Sequence, residues 1–234
     1  MEVYVDDMLV KSKEELARLD DLRETFATLR QYQMKLNPSK CAFGVTSRKF
    51  LGFMISLKGI EANPKKVRAI LDMASPKTVK EVQKLTGRIA ALNRFVSKVT
   101  EKCLPFFKTL KQASAWTNEC EVAFQELKHY LSNPPLLSPS KEGENLYLYL
   151  AVSAIAIRVA LVWEKDRKQL PVYYVSRAFQ GAKAKYPRIE KIAFALIIAS
   201  RKLQPYFHAN PILVMTDQPI KKSMNKPKEA GRMV

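Results

Sequence analysis

Val3-Tyr4-Val5-Asp6-Asp7-Met8-Leu9-Val10 opens the chain and reads as a β-hairpin with two adjacent carboxylates at its tip. Val3, Val5, Met8, Leu9 and Val10 supply apolar flanks over residues 2–10, and Asp6-Asp7 supplies the turn. Two carboxylates on a hairpin tip can hold a divalent cation through hard oxygen donors. A plain Asp-Asp turn would suit the hairpin as well, so the pair does not decide its own role. The flanking sequence decides more. An amphipathic helix is expected from about Lys13 to Lys35, with Leu16, Leu19, Leu22, Phe26 and Leu29 at three- and four-residue spacing. Asn37-Pro38 stops it. Then come Leu36-Asn37-Pro38-Ser39-Lys40-Cys41 and Lys49-Phe50-Leu51-Gly52-Phe53-Met54-Ile55-Ser56. The second stretch predicts a hairpin over 48–60 that turns near Lys58-Gly59.

Residues 61–133 carry helical periodicity. One helix is expected to start at Pro64, because proline is tolerated in a first turn. Another runs over 78–99 with Thr78 as its cap, burying Val79, Val82, Leu85, Ile89, Leu92, Phe95 and Val99. Gln83, Gly87 and Ala91 form a second stripe beside it. A glycine inside a helix costs about 1 kcal/mol relative to alanine, so Gly87 marks a close approach. A further helix begins near Asn118, where Asn118 and Glu121 have capping-box spacing, and buries Phe124, Leu127 and Leu131.

The pattern changes after Pro134-Pro135. Strands are expected over 145–151, 155–164 and 170–176, then a helix over 187–207, a strand over 212–216 leading to Asp217, and a short helix. That order is of the α/β kind. The basic tail after Lys221 is expected to be loose.

Composition narrows the partner. Forty Lys and Arg against 22 Asp and Glu give +18, which calls for a polyanion. From Lys58 to Lys111 there are 13 basic residues against four acidic ones. Phosphate contacts explain such a basic helical stretch, although any one cluster could be a solvated face. The longest apolar run, Ile192 to Ala199, is too short for a bilayer, and no signal-like leader is present. The reading is intracellular, with no membrane. Cys41, Cys103 and Cys120 stand far apart beside only two His, so zinc is not expected, and all three read as reduced thiols in a core.

These stretches, in this order, resemble the C-terminal part of a reverse transcriptase from a gypsy-type LTR retrotransposon Pol polyprotein. Tyr4-Val5-Asp6-Asp7 resembles the polymerase palm. The resemblance implies that Asp6 and Asp7 are catalytic and hold metal, Mg2+ in the complete enzyme, as two-metal phosphoryl transfer requires. It places Lys40 near the incoming triphosphate and Leu51, Gly52 and Phe53 in the primer grip. Val82-Gln83-Lys84-Leu85-Thr86-Gly87-Arg88 resembles the thumb helix that follows a template–primer minor groove. Gln83, Lys84, Gly87 and Arg88 are then nucleic-acid-binding, with Ala91 where retroviral enzymes carry an aromatic residue.

Pro171-Val172-Tyr173-Tyr174-Val175-Ser176-Arg177, Tyr186-Pro187-Arg188-Ile189-Glu190 and Met215-Thr216-Asp217-Gln218 resemble an RNase H-like fold. Ala151-Val152-Ser153 stands where relatives show Asp-Ala-Ser, while Glu190 and Asp217 match the second and third acids. The implied site is degenerate at Ala151. Leu148-Tyr149-Leu150-Ala151-Val152-Ser153 and Thr216-Asp217-Gln218-Pro219 look most like plant elements.

The implied architecture is α+β / α/β: the end of a reverse transcriptase palm over 1–60, a helical thumb and connection over 61–133, and a degenerate RNase H-like domain over 134–234. The expected partners are RNA–DNA or DNA duplex template–primer and the rest of the Pol polyprotein. The chain begins after the fingers and an earlier palm Asp and ends before a fourth RNase H acid, so alone it is expected to be inactive. The alternative is a non-catalytic basic nucleic-acid-binding remnant.

Overall fold

The computed structural model describes residues 2–4, 7–12, 16–50, 52–56 and 59–221. It divides into two compact units, Met1–Leu57 and Lys58–Val234. The mixed α and β composition expected from the sequence is present in both.

In the first unit, β1 (Glu2–Tyr4) pairs antiparallel with β2 (Asp7–Leu9), with Tyr4 opposite Asp7. α1 spans Arg18–Gln31, shorter than the Lys13–Lys35 expected. It ends because Gln33 takes a positive φ of 54° and the Met34 N–H returns to the Leu29 carbonyl at 2.9 Å. Leu29 is buried, but Leu16 and Leu19 are 90% and 63% exposed, so the stripe does not continue to its start. β3 (Ser47–Phe50) and β4 (Phe53–Ser56) form the second hairpin, with Phe50 opposite Phe53. With Phe50 opposite Phe53, its turn passes through Gly52 and not near Lys58-Gly59. Gly52 takes φ 80°, a conformation open to glycine at no steric cost.

The second unit starts with β5 (Gly59–Glu61). Ile60 bridges to Leu137 through two backbone hydrogen bonds of 2.8 and 3.0 Å. A Cβ on Gly59 would lie 2.3 Å from the Leu137 carbonyl oxygen, so glycine belongs to this approach and not to a hairpin tip. α2 (Pro64–Leu71) is capped by the Asn63 side chain. α3 (Val79–Ala90) is capped by a full Thr78–Glu81 capping box. α3 stops eight to nine residues before the expected end at 99. A 3-10 turn at Asn93–Phe95 and a left-handed Lys98 (φ 56°) follow, then α4 (Val99–Lys102). The Tyr130 hydroxyl accepts from the Ser97 N–H (3.4 Å) and donates to the Phe95 carbonyl (2.9 Å), satisfying backbone groups freed by the break. Leu92, Phe95 and Val99 are buried even so. α5 is Leu104–Gln112 and α6 is Asn118–Ser132. The α6 cap is Thr117, which accepts from the Cys120 N–H, and not Asn118.

β6 (Leu146–Val152), β7 (Ala156–Lys165), β8 (Lys168–Ala178) and β9 (Ile212–Met215) form a mixed sheet in the order β8-β7-β6-β9. β9 runs parallel to β6 and the other pairs are antiparallel. α7 (Arg188–Lys202) buries Ile192, Ala195 and Ala199 against Leu146, Leu148, Leu150, Val159 and Leu161. The single helix expected over 187–207 breaks at Leu203, and α8 (Gln204–Ala209) follows. Pro205 has no N–H to continue the ladder and would clash with the preceding turn. The other sheet face meets α4, through Glu101 on Arg158 (2.5 Å) and the Thr100 N–H on Ser176 Oγ (3.3 Å). Cys103 and Cys120 are buried as expected, and burial pushes the Cys103 thiol up to about 12. Cys41 is only half-buried, because Asn37–Cys41 is a surface 3-10 turn. No described helix is long and apolar enough to cross a membrane.

Candidate nucleic-acid interface

In the first unit, Asp7 opens the return strand of the β1–β2 hairpin, which places it at the base of the tip. Asp6 and Leu51 lie outside the described residues. Lys40 ends an exposed 3-10 turn held by Asn37, whose side chain accepts from the Ser39 N–H at 3.1 Å. Arg48 donates to the Lys40 carbonyl, which fixes that backbone while leaving the lysine side chain in solvent. Gly52 is at the β3–β4 turn and Phe53 begins β4.

α3 presents the clearest surface. Val82, Leu85 and Ile89 are buried to 4% or less. Lys80, Gln83, Lys84, Gly87 and Ala90 are exposed on the remaining circumference. The backbone N–H groups of Lys77 and Thr78 hold the Glu81 carboxyl below its ordinary value, so the one acid in this helix is spent on its cap. A Cβ built on Gly87 meets nothing within 4 Å. The close approach that a mid-helix glycine signals is not made by any of the described residues. Arg88 differs from its neighbours: its Nη1 donates to the Ala69 carbonyl near the end of α2. Its guanidinium braces α2 against α3.

The RNase H-like residues gather at one end of the sheet. Tyr149 pairs with Met215 in the parallel β6–β9 register, so Ala151 and Asp217, each two residues further on, reach the same end. α7 starts there too, because Arg188 hydrogen-bonds Asp217. Glu190 sits in its first turn. Ala151 offers no oxygen, and its cross-strand neighbour is Arg158. Asp217 already has a cation in Arg188. Glu190 keeps a buried Oε2 without a hydrogen-bond partner. Among the described residues no three His, Cys, Asp or Glu gather to hold one ion. These three positions do not fit a two-metal site.

Residues 1–55 match the family model described as reverse transcriptase (RNA-dependent DNA polymerase), and residues 116–214 match the RNase H-like domain found in reverse transcriptase. The chain is 29% identical over 225 residues to the retrovirus-related Pol polyprotein from transposon 412 of Drosophila melanogaster, covering 92% of this chain and 18% of that protein. The chain is similar to retrotransposon Pol polyproteins, with one stretch matching a reverse transcriptase model and another an RNase H-like model. The Pol polyprotein from transposon opus of the same fly is 29% identical, with 93% of this chain and 23% of that protein covered. The Tf2-3 polyprotein of Schizosaccharomyces pombe is 26% identical, with 92% and 16% covered. The chain thus spans less than a quarter of the length of these relatives. Two solved structures share its fold. The foamy viral protease-reverse transcriptase in complex with dsDNA matches at TM-score 0.72 and 23% identity, over 89% of this chain and 44% of that one. The same enzyme with an RNA/DNA hybrid matches at 0.73 and 20%, over 94% and 30%.

Three residues of this chain escaped the sequence reading. Lys80 shares the exposed face with Lys84, one turn away, and its spacing was visible. Arg158 opposite Ala151 follows only from the strand register, which Ser153 sets by accepting from the Ala156 N–H at 3.1 Å. Arg188 on Asp217 joins positions 29 apart and carries no local signal.

Proposed function

We propose that this chain is part of an RNA-directed DNA polymerase of a gypsy-type LTR retrotransposon, close to plant elements, and that it binds template–primer duplex along α3. Residues 1–60 act as the palm end, 61–133 as thumb and connection, and 134–234 as a degenerate RNase H-like domain. The partner is RNA–DNA or DNA duplex, the class named for both foamy viral complexes. The remainder of the Pol polyprotein completes the intracellular enzyme. The observation that carries the reading is Gly87: exposed, mid-helix, and with open space where a Cβ would stand among the described residues. A backbone-thin position flanked by Gln83 and Lys84 lets a duplex groove lie against the helix, with the lysines near phosphates. Arg88 supports that face by bracing α2. Lys40 acts on the incoming triphosphate, and Leu51, Gly52 and Phe53 grip the primer end. Asp6 and Asp7 would hold divalent metal, Mg2+ by this reading, which supplies Lewis-acid stabilisation of the transferring phosphoryl group.

Fluorescence anisotropy on a labelled RNA–DNA hybrid tests it. Gly87→Leu should weaken binding on the order of tenfold, about 1.4 kcal/mol, although the better helix former should leave the thermal midpoint unchanged or higher. The log affinity of the parent should fall steeply with log salt. Parent-like binding by the Gly87→Leu chain would sink the reading.

A further inference from the structure

The turn between β8 and α7 is a second basic surface, and neither the polymerase residues nor α3 accounts for it. Residues 177–191 contain Arg177, Lys183, Lys185, Arg188 and Lys191 against Glu190 alone. Arg177 and Lys185 are exposed, while Lys183 and Lys191 are half-buried. The last two are ordered by aromatic rings: Lys183 Nζ lies 4.5 Å from the Phe194 ring centre and Lys191 Nζ 5.0 Å from that of Phe179. The two rings lie 6.4 Å apart, so loop and helix are stapled together. Ammonium groups held this way lose less rotamer freedom when they meet an anion. The surface lies at the sheet end where Ala151 stands and where Arg188 neutralises Asp217. Of the acids that could repel a phosphodiester there, Asp217 is paired with Arg188, position 151 carries none, and only Glu190 stays without an ionic partner among the described residues, its Oε2 turned inward and buried.

We propose that Arg177, Lys183 and Lys185 grip the sugar–phosphate backbone of a nucleic-acid duplex, so that this sheet end holds the strand that an intact RNase H site would cut. The inference rests on the duplex-binding reading above and adds a second contact to it. Cationic side chains over aromatic rings, without base-reading geometry, suit phosphates and no particular sequence.

The test uses the full chain and a labelled RNA–DNA hybrid, with affinity measured across a salt series. Lys183→Gln/Lys185→Gln should flatten the log affinity–log salt slope by about 2. Arg177→Gln, which leaves the aromatic staple intact, should flatten it by about 1. Lys183→Arg/Lys185→Arg should keep the parent slope. Parent-like slopes in both glutamine variants, with a flatter slope in Lys80→Gln, would overturn this inference and leave α3 as the contact. Absence of binding by the parent would overturn both. Cleavage of the RNA strand by the unmodified chain would show that this end cuts and does not merely hold.

Discussion

Gly59 and Gly87 are both glycines in regular structure, and they are there for opposite reasons. At Gly59 the chain itself fills the space: the Leu137 carbonyl would stand 2.3 Å from a Cβ, and φ is 143°. At Gly87 no described residue outside its own helical turn comes within 4 Å of a Cβ, and the backbone is ordinary helix. The first glycine is a requirement of the fold. The second lowers helix stability by about 1 kcal/mol with no packing return among the described residues. On a face rimmed by Gln83 and Lys84, it leaves room for the duplex proposed above.

The largest expected effect breaks or sharpens this contrast directly. Gly59→Ala should destabilise the second unit by about 3 kcal/mol, because the new methyl meets backbone and the φ is strained. Gly87→Ala should stabilise it by about 1 kcal/mol. Paired denaturant melts, each read for midpoint and slope, check both signs. If Gly87→Ala destabilises by as much as Gly59→Ala, then Gly87 serves internal packing and the contrast collapses.

The two glycines also show what a sequence makes legible. Gly87 stands out in the sequence because its setting is local: a helical period, a capping box at Thr78 and Glu81, and one residue out of keeping with both. Gly59 misleads because its partner, Leu137, lies 78 positions away, so a turn is the obvious local assignment. The same division runs through the fold. The four strands of the sheet follow from short apolar runs, and their ends shift by at most two residues. The break after α3 is invisible locally, since Leu92, Phe95 and Val99 continue the apolar stripe and the broken backbone is satisfied by Tyr130 from another helix. In the candidate site, the α3 face was readable from spacing. The Arg188–Asp217 pair and the Arg158–Ala151 register depend on topology.

A smaller effect tests how the helices are fastened to the sheet. Burial works against ionisation of Glu101, but hydrogen bonds from Arg158 and Ser153 and the charges of Arg158 and Lys98 together outweigh it, so its carboxyl sits below the ordinary value. A depressed carboxylate stabilises the fold above its unfolded pKa, and that contribution is lost as pH falls through the folded value. The pair is partly exposed, which limits it to about 1 kcal/mol. Glu101→Gln should therefore destabilise the chain by about that much at neutral pH. Once the pH falls below its depressed folded value the two proteins should melt alike, since the parent is then protonated too. A constant gap at all pH values would mean that packing, not charge, fastens α4 to β7.

The smallest effect concerns Glu190, where the contrast between internal and external need is sharpest. Its Oε2 is buried and has no hydrogen-bond partner, while Asp217 at the same sheet end has Arg188. Two terms compete. An acid in the first turn of α7 is favoured by the helix dipole by about 0.3–1 kcal/mol, and Glu190→Gln gives that up. A buried oxygen stripped of water and left unpartnered costs about 1–3 kcal/mol, more when charged, and the neutral amide lowers that cost. The second term is the larger, so Glu190→Gln should raise the thermal midpoint by about 0.5 kcal/mol equivalent. Asp217→Asn should instead lower it slightly, because it strips Arg188 of its charge partner. Opposite signs from two acids at one end of a sheet would mark Glu190 as a carboxylate that the fold tolerates and does not use. Equal losses from both would mean that Glu190 has a partner in solution, and the two acids would then be equivalent structural residues.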